Sequence, residues 1–300
     1  MRVSKRLVIL FILLITLLGL LLWQNSPALI IREYGAFVLL GLAGAIFANS
    51  TGAGGGVIFV PIFNQLQLSS DQIVATSFAI QCFGMVAGSI AWRDQYLKAI
   101  QAQDTSTSIW SVLPQLLMVT VPFSIIGIWT VQYTPLITWV SEAENTLHWI
   151  FGLFSIVLAL AILGSLKHLK AEEQVQLVSS KDKLNLAIVA FLGGMVTAWL
   201  SVGVGELVAV YLILRRFSVT MSIAVAVMLS AMSVWGGIFY YIFVNPMVLI
   251  PIACFAGVGA IIGGSVAKYL VLWLNPYQVK VFFAVWVMFM GVCRTPVTHI

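Results

Sequence analysis

Charge is what this sequence has least of. Aspartate, glutamate, lysine and arginine make up 8% of its 300 residues, where soluble domains carry about 25%. That excludes a water-soluble globular domain. With 61% hydrophobic residues and a mean hydropathy of +1.06, the chain reads as an integral membrane protein. Cysteine is scarce too: Cys82, Cys254 and Cys293 lie far apart in apolar surroundings. Their odd number and wide spacing argue against a disulfide framework and exclude a metal or redox motif, which leaves small buried hydrophobes. The three histidines, His148, His168 and His299, have no partners at metal-ligand spacing. A membrane enzyme needs a nucleophile with its base, or clustered His, Asp and Glu ligands. The sequence offers neither, so no catalytic residue, metal or cofactor is expected. The formal charge of +5 sits on loop lysines and arginines, which set orientation in a bilayer rather than mark a nucleic-acid surface.

What is present is a series of apolar segments near the 20 residues that span a hydrocarbon core of about 30 Å. Arg2, Lys5 and Arg6 precede an apolar run from Leu7 to Trp23. This is either a retained first helix or a signal peptide cleaved near Ser26-Pro27-Ala28, and the length of the run favours the helix. Segments follow at 35–63, 72–91, 109–131 and 147–166. After a basic loop, 167–183, come 184–214, 218–244, 248–272 and 277–293. Gly84 and Gly88, and Gly257, Gly259, Gly263 and Gly264, suit close helix packing in lipid. Trp92, Trp110, Trp129 and Trp149 fall near segment ends, as interfacial aromatics do.

Two segments are interrupted. In the first, Asn49-Ser50-Thr51-Gly52-Ala53-Gly54-Gly55-Gly56 lies inside an apolar stretch. Glycine costs about 1 kcal/mol relative to alanine in a helix interior, so a continuous helix is disfavoured there. In the second, Ser201-Val202-Gly203-Val204-Gly205-Glu206 repeats the feature 151 residues after Ser50. Broken apolar segments at matching places in two halves point to the binding site of a secondary transporter.

Gly52-Ala53-Gly54-Gly55-Gly56 with Val60-Pro61 and then Ala75-Thr76-Ser77 resembles the TauE/SafE sulfite exporter family (TSUP), over roughly residues 35 to 294. The second half departs from the pattern, with Glu206 where a glycine is usual and Leu212 aligned with Pro61. The resemblance implies a transporter of sulfite, an organosulfonate or a related sulfur oxyanion.

Counting charges tests how the broken segments cross. If both span as single helices, Lys and Arg divide seven inside and eight outside, without the positive-inside bias of short loops. If each enters and leaves on one face, all but Arg32 and Arg294 fall inside, thirteen against two. Length agrees, because 29 residues of straight helix would rise about 43 Å. The expected fold is therefore an all-α polytopic bundle. Residues 1–34 form an N-terminal helix and linker, 35–166 one repeat, 167–183 a cytoplasmic linker and 184–300 a second repeat. Each repeat is a re-entrant hairpin plus three spans, and the two have inverted topology. The expected location is a bacterial-type inner membrane, and the sequence leaves monomer and homo-oligomer both open.

Each second half-helix starts near mid-membrane, with unpaired N–H groups and a positive dipole end. Backbone N–H groups of Gly52, Gly54, Gly55, Gly56, Gly203 and Gly205 can approach a small anion closely. Ser50, Thr51 and Ser201 add hydroxyls, and Thr76 and Ser77 on the next span approach from the side. The ends of the preceding half-helices present carbonyls, which suit a cation instead, and glycines can also serve only to pack a tight turn. Glu206, the one acidic residue placed deep in the membrane, is read either as a proton-coupling group or as a helix N-terminal residue favoured by the dipole. Arg215 and Arg216 stand at the expected cytoplasmic mouth as an anion attractor or a topology anchor. Gln81 and Asn185 are polar residues without an assigned role.

Overall fold

The structure is a computed structural model that describes residues 27–102, 109–138 and 178–274, with scattered positions between 153 and 164 and between 277 and 288. The N-terminal helix expected at 7–23, and most of the segments expected at 147–166 and 277–293, lie outside the described residues. The helices are α1 (Pro27–Tyr34), α2 (Phe37–Thr51), α3 (Gly56–Gln65), α4 (Ser70–Ala102), α5 (Leu113–Gln132), α6 (Ser180–Leu200), α7 (Val204–Leu214), α8 (Val219–Phe239) and α9 (Ile250–Trp273). A π-turn, Tyr240–Val244, continues α8. Among the described residues there is no strand.

Among the described residues five helices, α4, α5, α6, α8 with its π-turn, and α9, are long and apolar enough to cross a membrane. Their outer surfaces are apolar: Leu184, Ile188 and Leu192 form an exposed stripe along α6, and Met118, Ile126 and Trp129 one along α5. Polar side chains such as Asn49, Ser77, Gln81, Ser201 and Glu206 are buried instead. Apolar outside and polar inside is the arrangement a lipid solvent selects.

α4 runs 33 residues, about 50 Å, well past the apolar segment expected to end at residue 91. Arg93, Asp94, Gln95 and Lys98 are polar enough to end a hydropathic run, yet most are good helix formers, so the helix outlasts the span. Trp92 and Trp110 correct the interfacial reading. Both are buried and stack at a centroid distance of 6.4 Å, and the Trp92 indole donates to the Asn49 carbonyl at 3.4 Å. Trp129 remains exposed.

Both interrupted segments fold as hairpins whose two ends meet. In the first, Phe37 at the start of α2 packs on Phe63 near the end of α3, with ring centroids 6.3 Å apart. Between them Gly44 lies under the Phe59 ring, where any Cβ would collide. In the second, Asp182 in the first turn of α6 accepts from Arg215 Nε at 2.8 Å and from the Tyr211 hydroxyl at 3.0 Å. Ser179 and Asp182 close a capping box on the same helix, satisfying N–H groups that the helix start leaves unpaired. The base of the second hairpin is thus clasped by a carboxylate.

Small residues set the packing between the halves. α9 runs along α2 and α4, while α5 runs along α6 and α8. A Cβ on Gly259 would strike the Val38 carbonyl, and one on Gly41 would strike that of Ala256. The α5–α6 contact is built alike: Gly127 rests on the Phe191 carbonyl and Gly194 on that of Ser124. The same offsets relate both pairs, +153 from α2 to α6 (38 to 191, 41 to 194) and +132 from α5 to α9 (127 to 259, 124 to 256). Close backbone approach is what glycine offers a helix interface in lipid.

Candidate functional site

The two hairpin tips meet in the interior. α2 ends where Gly52 adopts φ 79°, and its N–H bonds back to the Ala48 carbonyl. That left-handed conformation is natural for glycine at a helix C-terminus. α6 ends with Ser201 at φ 58°, its N–H on the Thr197 carbonyl. For a serine this conformation is strained, and the side-chain bonds described below hold it. Gly203 follows at φ 143°, open to glycine alone. Each hairpin then turns into a short second arm, α3 or α7.

Four side chains join the tips. Glu206, in the first turn of α7, is fully buried. One carboxylate oxygen accepts from Gly203 N at 2.8 Å, within its own hairpin, and the other from Gly54 N at 2.6 Å, in the first hairpin. Gln81 on α4 accepts from Gly55 N at 3.0 Å through its side-chain oxygen. Its amide nitrogen donates to the Ser201 carbonyl at 3.0 Å and hydroxyl at 2.7 Å. The Ser201 and Ser77 hydroxyls are 2.9 Å apart. Thr197 accepts from Val204 N at 2.9 Å, so a side chain takes up a further N–H at the start of α7.

Backbone contact completes the junction. A Cβ on Gly56 would collide with the Ser201 carbonyl, and one on Gly205 with the Gly52 carbonyl and the Ser230 hydroxyl. Ser230, on α8, is 3% exposed and its hydroxyl has no partner. The pair Gly52–Gly205 is therefore held at a distance that side chains forbid.

The structure brings together most of the residues expected at the site: Gly52, Gly54, Gly55, Gly56, Ser77, Ser201, Gly203, Gly205 and Glu206. Three expected ligands face elsewhere. Thr76 accepts from Leu249 N at 3.0 Å, beside the start of α9. Thr51 donates to the Phe47 carbonyl at 2.9 Å and accepts from Ala53 N at 3.2 Å, bracing the turn from within. Ser50 donates to the Ala267 carbonyl at 3.4 Å on α9. Gln81, left without a role by the sequence, is the most connected side chain of the junction. The signal that would have found it is its place four residues after Ser77, on the same helix face. Arg215 is committed to Asp182, and Asn185 donates to the Tyr211 hydroxyl at 3.3 Å beside them. No lysine or arginine is among the polar partners at the tips. Lys268, buried on α9 beside Ala267, donates to the Ala91 carbonyl at 3.0 Å.

The carbonyls that close the first arms are largely engaged: Asn49 by Trp92, Ser201 by Gln81, Ala48 and Thr197 by the cap N–H groups. The tips present to one another the Gly54 and Gly203 N–H groups, both on the Glu206 carboxylate, and also the Gly52 and Ser201 carbonyls, which lie against Gly205 and Gly56. Among the described residues there is no cluster of His, Cys, Asp or Glu able to hold a metal.

A bundle of apolar-surfaced helices around two facing broken hairpins defines a multi-pass membrane protein of a transporter type. The sulfite exporter TauE/SafE family matches residues 36–293, and the chain belongs to that family. No curated protein and no solved structure matches it.

Proposed function

We propose that this protein is a secondary transporter of a small sulfur oxyanion, sulfite or an organosulfonate, working by alternating access in a bacterial-type cytoplasmic membrane. The observation that carries this reading is the meeting of two tips whose backbone N–H groups, Gly54 N and Gly203 N, converge on one buried anionic group. Neutral donors at the positive ends of two short helices can hold an oxyanion and still release it. Family membership supplies the class of substrate. The engaged carbonyls of the first arms speak for an anion over a cation, and nothing at the tips resembles a catalytic constellation.

Alternating access rests on an inverted relation between residues 35–166 and 184–300, joined by a cytoplasmic linker at 167–183. The reciprocal packing of α9 on α2 and of α5 on α6, with matched glycine offsets, is what two such repeats would produce. In this reading both hairpins are re-entrant, the first opening outward and the second toward the cytoplasm. Glu206 takes up a proton when the anion binds and gives it back when the anion leaves.

The test is flux into proteoliposomes of the purified protein. Methanesulfonate is the better first substrate, because bisulfite equilibrates with sulfur dioxide, which crosses bilayers unaided. Saturable flux above that of protein-free vesicles, driven by an inward proton gradient, is expected. Folded protein without flux of methanesulfonate, taurine or sulfite would overturn the proposal.

A further inference from the structure

Glu206 occupies the donors that an incoming anion would need. One oxygen takes the N–H of Gly54 from the first hairpin and the other takes the N–H of Gly203 from the second. A pyramidal or tetrahedral oxyanion would use the same pair of donors in the same way. A second observation points to a missing ligand. The Ser230 hydroxyl, 3% exposed, has no hydrogen-bond partner, and it lies against Gly205 where the two tips touch. Buried polar groups rarely stay unpaired.

We propose that the Glu206 carboxylate is a tethered stand-in for the transported anion: the two compete for Gly54 N and Gly203 N, and the Ser230 hydroxyl donates to the substrate. This rests on the transporter reading above. With the site empty, the carboxylate pins the tips together. When Glu206 gains a proton it is no longer an anion and the tips lose their counter-charge. The substrate then enters, and the site holds one negative charge in either state. Two anions on the same donors, away from water, would repel strongly. Each substrate bound therefore carries in one proton.

Among the described residues, Glu206 is the one carboxyl at the junction. Of the elements packed around it, α2, α3 and α8 contain no charged residue, Glu206 is the one on α7, and α9 carries Lys268, whose ammonium donates to the Ala91 carbonyl. Those on α4 (Asp71, Arg93, Asp94, Lys98) and α6 (Lys181, Asp182, Lys183) are ten or more positions along their helices from Gln81 and Ser201. That is about 15 Å or more. Of the other titratable groups, Cys82 donates to the Val234 carbonyl, Tyr241 to the Ala198 carbonyl, and Tyr211 to Asp182. Tyr96 lies beyond Arg93 on α4.

The experiment is calorimetric binding of methanesulfonate, whose charge is constant from about pH 5 to pH 9, to the full chain in detergent. Wild-type affinity should fall about tenfold per pH unit once Glu206 is ionised, and binding should take up one proton, read from heats in buffers of different ionisation enthalpy. Glu206→Gln should bind with affinity independent of pH and without proton uptake. Ser230→Ala should bind about tenfold more weakly and keep the wild-type slope. Wild-type binding that ignores pH, or that takes up no proton, would overturn the competition while leaving the transporter reading intact. This wild-type arm decides even if Glu206→Gln fails to fold. An absence of binding by methanesulfonate and by sulfite at pH 5 would count against both.

Discussion

The carboxylate of Glu206 lies 2.6 Å from the backbone nitrogen of Gly54, 152 residues earlier in the chain. One residue thereby bonds the tips of two hairpins that the sequence keeps in separate halves. Its other oxygen reaches Gly203 at 2.8 Å, so a single side chain gathers donors from both tips. The remaining contacts of the junction are arranged around this bridge.

Gln81 is the neutral counterpart of that bridge. Gln81→Leu keeps the volume but strands Gly55 N and the Ser201 carbonyl in the interior, while the Ser201 hydroxyl keeps Ser77. Each unpaired buried group costs about 1–3 kcal/mol, so the variant should lose about 2 kcal/mol or more of stability, seen as a lower unfolding temperature in detergent. Unchanged stability would mean that Gln81 does not carry the junction.

Gly205 sets the spacing of the tips. Alanine is favoured over glycine in a helix by about 1 kcal/mol, yet a Cβ here meets the Gly52 carbonyl and Ser230. Overpacking of this kind costs about 1–3 kcal/mol. Gly205→Ala should therefore abolish flux and lower stability. Gly164→Ala, where no described atom lies within 4 Å of the added Cβ, should leave both unchanged. Normal flux in Gly205→Ala would show that close tip contact is dispensable.

In the proposed topology the two ends of each hairpin share a face of the membrane. In a background without native cysteines, Glu33→Cys and Gln65→Cys flank the first hairpin, and Lys181→Cys and Arg216→Cys the second. A membrane-impermeant maleimide should label the first pair from outside and the second from the cytoplasm. Labelling of one hairpin's two ends from opposite faces would remove the inverted arrangement.

Much of this was legible before the structure. Glycines and hydroxyls inside an apolar stretch are conspicuous, because helix and lipid both disfavour them, so the two breaks and Glu206 stand out. The uneven placement of lysine and arginine argued for hairpins, and the Phe37–Phe63 and Asp182–Arg215 contacts now close both. Less could be read about where individual hydroxyls point. Thr76 and Ser77 are neighbours, yet on a helix they face different ways, and only Ser77 reaches the tips. Ser230 sits among alanines and valines in a segment with nothing to mark it. Trp92 matched the interfacial pattern, but its pairing with Trp110 depends on long-range packing that spacing along the chain does not record.

The measurement that bears most directly on the central claim is a structure determined at pH 5 with selenite, a pyramidal analogue of sulfite whose selenium scatters anomalously. The account predicts an anomalous peak between the two tips, with selenite oxygens within hydrogen-bond distance of Gly54 N and Gly203 N and the Glu206 side chain turned away. Selenite bound elsewhere, with the Glu206 carboxylate still seated on both nitrogens, would contradict it.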